Sequence, residues 1–349
     1  MKRSTWGRVI VGLLAFGVAG FLAVTTQASA ATPRAGFNIV TSPLPIKIQT
    51  APGKTVTTEL RLNNQGNQPE RIKVGLMKFG ATGETGQPDL FDLKPTDTYA
   101  SWVHFSPAEF TAQPNVWTSV KMTINIPPGA SLGYYLAVTF SRANQPGVKA
   151  TTQLHGAVAT LVLLDVHTAN EKRDLQVASF STDHGLYEYL PANFNVKLHN
   201  GGNIYLTGSG NIFVQRGGKT VDTLDFNSAG GSVLPNSNRV FKVAWNNGFP
   251  YFKQRIVNGK PVNKYSLTWN FTKLNRFRIG HYTAKLLVVY DNGKTDVPLE
   301  STLSFWVLPW KLMLVGLVVL ALIGYALFML VRSIMGRGRN VHSRFRRKH

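Results

Sequence analysis

The residues that could do chemistry are few and far apart. His104, His155, His167, His184, His199 and His281 stand singly along the chain, two of them beside acids: Asp165 with His167, and Asp183 with His184. A metal centre needs three or four converging ligands, and no spacing here gathers them. Cysteine is absent, which excludes disulfides, thiolate metal sites and thiol nucleophiles. Neither Gly-x-Ser-x-Gly nor His-Glu-x-x-His occurs. Gly218-Lys219-Thr220 and Gly293-Lys294-Thr295 end like phosphate loops, but Phe213 and Val288 stand where the leading glycine belongs. Only 17 acids populate the chain, and none is paired in a way that suggests a glycosidase. The expectation is a protein that is not an enzyme, with no catalytic residue, no cofactor and no metal.

Aromatic side chains are the better candidates. Trp102, Phe105, Phe110 and Trp117 fall within one short stretch, and Phe249-Pro250-Tyr251-Phe252 precedes Lys253 and Arg255. Trp and Phe faces can stack on sugar rings, and they can equally plug the core of a β-sandwich. The second group reads as an aromatic-basic loop, a binding tip where it is exposed. Trp102, Phe105, Trp117, Tyr251 and Phe252 are therefore the candidate binding residues.

These side chains need elements to hold them, and the pattern is β throughout. Val56, Thr58, Leu60 and Leu62 alternate with Thr57, Glu59 and Arg61. So do Val120, Met122, Ile124 and Ile126 with Lys121, Thr123 and Asn125, and Tyr265, Leu267, Trp269 and Phe271 with Ser266, Thr268 and Asn270. Period two with one wetter face is the antiparallel pattern. The phase slips where Ile72, Val74 and Leu76 give way to Met77 and Phe79, as a β-bulge would make it. Asp97 to Phe105 reads as a short helix or a loop turn. Asn258-Gly259 and Asn292-Gly293 read as hairpin turns.

Two matches in the same order point to an internal repeat. Leu60 to Asn67 aligns with Val196 to Asn203, and Gly133-Tyr134-Tyr135 with Gly280-His281-Tyr282. The Gly-x-Tyr resembles the tyrosine corner of immunoglobulin-like sandwiches, where the phenol bonds back to backbone. The expected fold is all-β: two tandem Ig-like β-sandwich modules plus one C-terminal transmembrane helix.

The ends set the compartment. Lys2, Arg3 and Arg8 precede an apolar run, and Ala28-Ser29-Ala30 gives the small-x-small cleavage pattern before Ala31. Leu312 to Val331 is apolar throughout and long enough to span a bilayer. Trp310 and Lys311 flank it on one side and Arg332 on the other, where rings and long cations favour the interface. The expected layout is a signal peptide at 1–30, a first module at 31–170 and a second at 171–307. A juxtamembrane segment and span follow at 308–331, then a basic tail at 332–349.

Net charge is +21. With the basic residues of 1–30 and 332–349 set aside, 28 basic residues still face 17 acids. Exported to a cell surface, such a chain meets anionic envelope polymer and lipid rather than nucleic acid. The positive-inside rule puts the tail in the cytoplasm and 31–310 outside. A cysteine-free export product reads as bacterial.

Several short motifs run in order through the first module: Ser42-Pro43-Leu44, Pro52-Gly53, Leu62-x-Asn64, Trp102-Val103-x-Phe105-Ser106-Pro107, Ile126-Pro127-Pro128-x-Ala130 and Gly133-Tyr134-Tyr135. In these, residues 36–165 resemble the peptidoglycan-binding domain of the WxL-interacting proteins of Gram-positive bacteria. The resemblance implies attachment to the cell wall and partnership with other surface proteins. It supplies no sugar-contacting residue, and 171–307 lacks a clear likeness to that family's second domain. The expected function is a membrane-anchored, non-enzymatic binding or scaffolding protein of the cell surface, with wall polymer or secreted surface proteins as partners. The alternative is an assembly chaperone or accessory subunit of an envelope complex.

Overall fold

The computed structural model describes residues 36–143, 157–257 and 260–342. The expected cleavage site at Ala28, Ala30 and Ala31, His155, the Asn258-Gly259 turn and the last residues of the tail lie outside them. Described residues form β-strands, two short 3-10 turns and one C-terminal α-helix.

The first set of strands is β1 (Ile39–Ser42), β2 (Ile46–Thr50), β3 (Thr55–Asn64), β4 (Glu70–Ala81), β5 (Pro88–Phe91), β6 (Val103–Ser106), β7 (Glu109–Ala112), β8 (Trp117–Asn125), β9 (Leu132–Arg142) and β10 (Ala157–Val166). One sheet runs β1-β3-β8-β6. The other runs β2-β10-β9-β4-β5, with β7 also paired to β4. Val120, Met122 and Ile124 of β8 turn inward beside Leu60 and Leu62 of β3. They meet Val138, Phe140, Val162 and Leu164 of the opposite sheet in one core. Burying each such side chain stabilises by about 2 kcal/mol. Pro43 and Pro45 cannot donate to a ladder, and there the chain changes sheets: β1 runs antiparallel to β3, while β2 runs parallel to β10.

The second set is β11 (Leu175–Thr182), β12 (Leu186–Tyr187), β13 (Ala192–Asn200), β14 (Ser209–Arg216), β15 (Lys219–Phe226), β16 (Ser237–Trp245), β17 (Tyr251–Val257), β18 (Lys260–Thr268), β19 (Gly280–Asp291) and β20 (Asp296–Val307). Its sheets run β11-β13-β16 and β12-β20-β19-β14-β15. Position for position this repeats β1-β3-β8 and β2-β10-β9-β4-β5, down to the parallel pairing of β12 with β20. The first set adds β6 and β7 between the fifth strand and the next repeated one. The second adds the β17–β18 hairpin, a separate two-stranded sheet.

One buried asparagine closes each set. Asn64 Nδ2 donates to Gln68 O (2.8 Å) and Ala112 O (3.0 Å), while its Oδ1 accepts from Gly66 N (2.9 Å). Asn200 Nδ2 donates to Ile204 O (2.8 Å) and Val233 O (2.9 Å), and its Oδ1 accepts from Gly202 N (2.9 Å). Both side chains are fully buried. Asparagine suits the place because one amide supplies donors and an acceptor to a turning backbone.

The phase slip in β4 is not a bulge. β4 and β9 stay in regular register from Ile72↔Arg142 to Lys78↔Leu136. Ile72, Val74 and Leu76 face the core. Met77 and Phe79 face the other way, into a smaller cluster with Ala137, Leu163 and Tyr205. Tyr205 belongs to the second set, so both faces of this sheet are covered and both carry apolar residues.

After β20 comes α1 (Trp310–His342). Its stretch Trp310–Ser333 is long and apolar enough to cross a membrane, and none of its apolar window is buried by the protein. At about 1.5 Å per residue its 24 residues extend roughly 36 Å.

Candidate functional site

The β4–β5 hairpin reaches from the first sandwich to the second. Its turn residue Glu84 accepts a backbone bond from Val240 N (2.7 Å) at the open edge of β16. The Glu84 carboxylate takes Lys197 Nζ (2.8 Å) and Asn238 Nδ2 (3.2 Å). The Lys197 hydrogen bond is the main reason its pKa lies below the ordinary carboxylate value. On the other side, Lys47 Nζ donates to Gly230 O (2.9 Å) and Thr207 Oγ1 (3.2 Å). Burial, then the Arg239 charge, lowers the Lys47 pKa.

Between these struts lies a cleft of about 390 Å³. Its floor is Phe79, Leu161 and Leu163 from the outer face of the first sandwich. Its walls are Leu44, Pro45 and Pro88 on one side and Val233, Leu234 and Arg239 on the other. Arg239 is its one charged lining residue. The guanidinium carbon sits 5.0 Å from the centre of the Phe241 ring, and Nη1 donates to Ser232 O (2.8 Å). Its Nε is buried and finds no acceptor among the described residues. Burial lowers the Arg239 pKa, but arginine keeps its proton. A glycine is needed at 86, where φ is +74° and a Cβ would run into Arg239 Nε. Arg239 Nε is itself closed off against Gly86, so a segment in the cleft meets the apolar floor and the Arg239 charge rather than Nε.

A second groove, about 840 Å³, runs between the β17–β18 hairpin and residues 183–193. Tyr251 and Phe252 line it. They lie on strand β17 rather than in a loop, both half-buried. Phe252 N donates to Leu190 O (2.7 Å), and its ring meets Tyr189 edge-on at 5.8 Å.

The other expected binding residues are not gathered. Trp102 ends the 3-10 turn Thr98–Trp102 and packs on the first core, its ring 5.0 Å from that of Tyr134. Phe105 packs on the same core. Trp117 is half exposed, with the Arg61 guanidinium 5.8 Å from its ring. Phe105 stands opposite Met122, five residues along β8 from Trp117, or about 17 Å. At the helix start, Trp310 is exposed and Lys311 pairs with Glu188 at 2.7 Å. Arg332 is exposed toward the other end of the apolar stretch.

The structure does gather one polar cluster that the sequence left scattered. Ligand-type atoms of Asp165, His167 and Glu171 lie within 4.8 Å of one another. Glu171 is already engaged: it accepts from His167 Nδ1 (2.9 Å) and from Arg173 Nε. Burial raises the Glu171 pKa, but these bonds outweigh it and the net shift is downward. Arg173 also reaches Asp291 (3.0 Å). The cluster thus pins the connection between the sandwiches. Asp165 is the exception, almost wholly buried with Oδ1 unpartnered among the described residues.

Both Gly-Lys-Thr segments sit at hairpin turns. Gly217 and Gly218 have positive φ, and Asn292 Oδ1 accepts from Lys294 N and Thr295 N (both 2.9 Å). The Gly-x-Tyr tyrosines do not act alike. The Tyr282 ring is core, packed on Trp245 (5.2 Å) and Phe305 (5.9 Å). Tyr135 Oη is buried without a hydrogen-bond partner among the described residues. Tyr187 Oη instead accepts from His184 N (3.3 Å) and donates to Asn193 O (3.5 Å).

No protein-family model matches the chain, and no curated protein matches it in sequence. Solved structures with a similar arrangement include the CsuC–CsuE chaperone–tip adhesion subunit pre-assembly complex of Acinetobacter baumannii. That match has TM-score 0.35 and 11% identity, and covers 75% of this chain and 97% of that one. The class 5 fimbriae chaperone CfaA gives 0.36 and 12%, over 76% and 98%. The CupB2 chaperone of Pseudomonas aeruginosa gives 0.32 and 10%, over 77% and 100%. Superpositions this loose fix neither fold nor function.

Proposed function

We propose that this chain is a membrane-anchored, non-enzymatic surface protein that holds an apolar segment of another surface protein in the cleft between its sandwiches, as an assembly chaperone or accessory subunit does. The carrying observation is the cleft itself: an apolar floor of Phe79, Leu161 and Leu163 beside the single charge of half-buried Arg239. In this reading both modules are immunoglobulin-like and lie outside the cell, α1 crosses the membrane once, and the basic tail is cytoplasmic.

The test is a photo-crosslinking side chain at Leu161 of the full chain in its native membrane. The expected adducts map to an apolar stretch of a surface protein and are lost in Arg239→Leu. Leu161 that yields no protein adduct in the native membrane sinks the proposal.

A second reading follows from Trp117, half exposed under Arg61. With the resemblance of 36–165 to the WxL-interacting family, it makes peptidoglycan the other candidate ligand. Wall fragments that crosslink at Trp117, with none at Leu161, would favour it.

A further inference from the structure

Tyr265, Leu267, Trp269 and Phe271 have the alternation of a strand with one buried face, yet the chain leaves most of that face uncovered. Tyr265 is 57% exposed, Trp269 48% and Phe271 71%. Trp269 and Phe271 rest on the buried ring of Phe249 at 5.8 and 5.5 Å, which fixes their inner faces and leaves their outer faces bare. Leu274, in the following 3-10 turn, is 61% exposed. The charge along this stretch is all of one sign, while Asp183 and Glu188 line the groove beside Tyr265. Residues 249–278 contain seven Lys or Arg and no acid, and the acid-free stretch runs from Phe226 to Tyr290.

Register places this surface next to the helix. Gly280 pairs with Val307, only three residues before Trp310, so Arg278 lies within about 23 Å of the start of α1. The base of the hairpin reaches the helix by a second route: Phe252 packs on Tyr189, next in chain to Glu188, and Glu188 pairs with Lys311. Aromatic rings backed by lysines and arginines at the mouth of a membrane span match the interfacial region of an anionic bilayer, where rings sit among headgroups and cations meet phosphates.

Register puts Lys253 and Lys264 on the hairpin face opposite Tyr265 and Trp269, so both kinds of side chain reach one plane only where the hairpin meets it edge-on. We propose that the β17–β18 hairpin, edge-on, and the turn Phe271–Arg276 form a second membrane contact, with Trp269, Phe271 and Leu274 in the interface and Lys253, Arg255 and Lys264 on anionic phospholipid headgroups. This rests on the reading that α1 spans the bilayer. It gives the sandwiches a fixed tilt on the membrane, which a single helix alone does not.

Because the chain has no cysteine, one label can be placed at will. The full chain carrying Phe271→Cys with an environment-sensitive fluorophore is reconstituted in nanodiscs of phosphatidylcholine, with or without phosphatidylglycerol. Lipids with brominated acyl chains serve as quencher. Lys294→Cys is the control, in the turn beyond the far end of the twelve-residue strand β19, itself about 37 Å long. Co-elution with nanodiscs checks the span separately from the contact. The expected result is several-fold stronger quenching at 271 than at 294 in the anionic discs. K253Q/R255Q/K264Q lowers the docked-to-free ratio by about 100-fold. These three side chains are exposed, so the variant keeps its unfolding transition. A label at 271 quenched no more than at 294, or quenched equally with and without anionic lipid, overturns the proposal.

Discussion

The two sandwiches share a strand order but differ in what each does with its extra residues. The first spends its insertion on itself: β6 extends the sheet β1-β3-β8, and β7 pairs with β4. The second leaves β16 as an edge and sends its insertion out as a hairpin. An open edge invites a partner, and here the edge of β16 is met by Glu84 of the first sandwich. The repeated strands thus carry the fold, while the differing connection makes both the inter-sandwich strut and the exposed aromatic-basic surface.

The sharpest test of equivalence is at the paired asparagines. Asn64→Ala and Asn200→Ala each strip two carbonyls and one amide of a buried partner. Each should cost about 3 kcal/mol, read as a drop in unfolding free energy in denaturant. Equal losses would confirm one structural joint used twice. A cost near zero at either site would break the equivalence.

A smaller effect separates the modules at one register position. Gly133 faces Asp165 across β9 and β10, as Gly280 faces Val307 across β19 and β20. The second sandwich puts a buried valine where the first puts a carboxylate. Burial is the main cause that raises the Asp165 pKa. A raised folded value means its stabilising contribution is complete below the ordinary 3.8 and is lost as pH rises through the folded value. Asp165→Asn should therefore stabilise the protein by roughly 1 kcal/mol at neutral pH, with the gain vanishing in acid. Thermal unfolding at several pH values reads it. A variant less stable at pH 7 would show that Asp165 is held by the His167 and Arg173 charges instead.

Much of this was legible in the sequence, for a physical reason. Alternation at Val120, Met122 and Ile124 reports a local geometry, and the Asn-x-Gly turns report a local demand on the backbone, so short spacing carries both. What lay outside was long-range. Met77 and Phe79 looked like a slipped register because nothing near them in sequence shows that Tyr205 covers the second face. Asp165, His167 and Glu171 looked scattered because one of them ends a strand and the others open a linker. Tyr265 to Phe271 looked like a buried face, and only the folded chain shows Tyr265, Trp269 and Phe271 left exposed among the described residues. The cleft is formed by strand and loop residues of both sandwiches, and no single motif encodes it.

The smallest effect tests whether the strut is ionic or made by backbone. Glu84 is partly exposed, so its ion pair with Lys197 is screened by solvent. Its lowered pKa gives a contribution present above the ordinary 4.5 and lost as pH falls through the folded value. Glu84→Gln keeps the backbone bond to Val240 N and removes only the charge. Hydrogen exchange should then quicken at Val240 and its neighbours while global unfolding stays unchanged, and acid should reproduce this in the unmodified protein. Unchanged exchange at Val240 would mean that the peptide bond alone holds the edge, and that the two sandwiches are joined chiefly through Tyr205 and the apolar cluster around it.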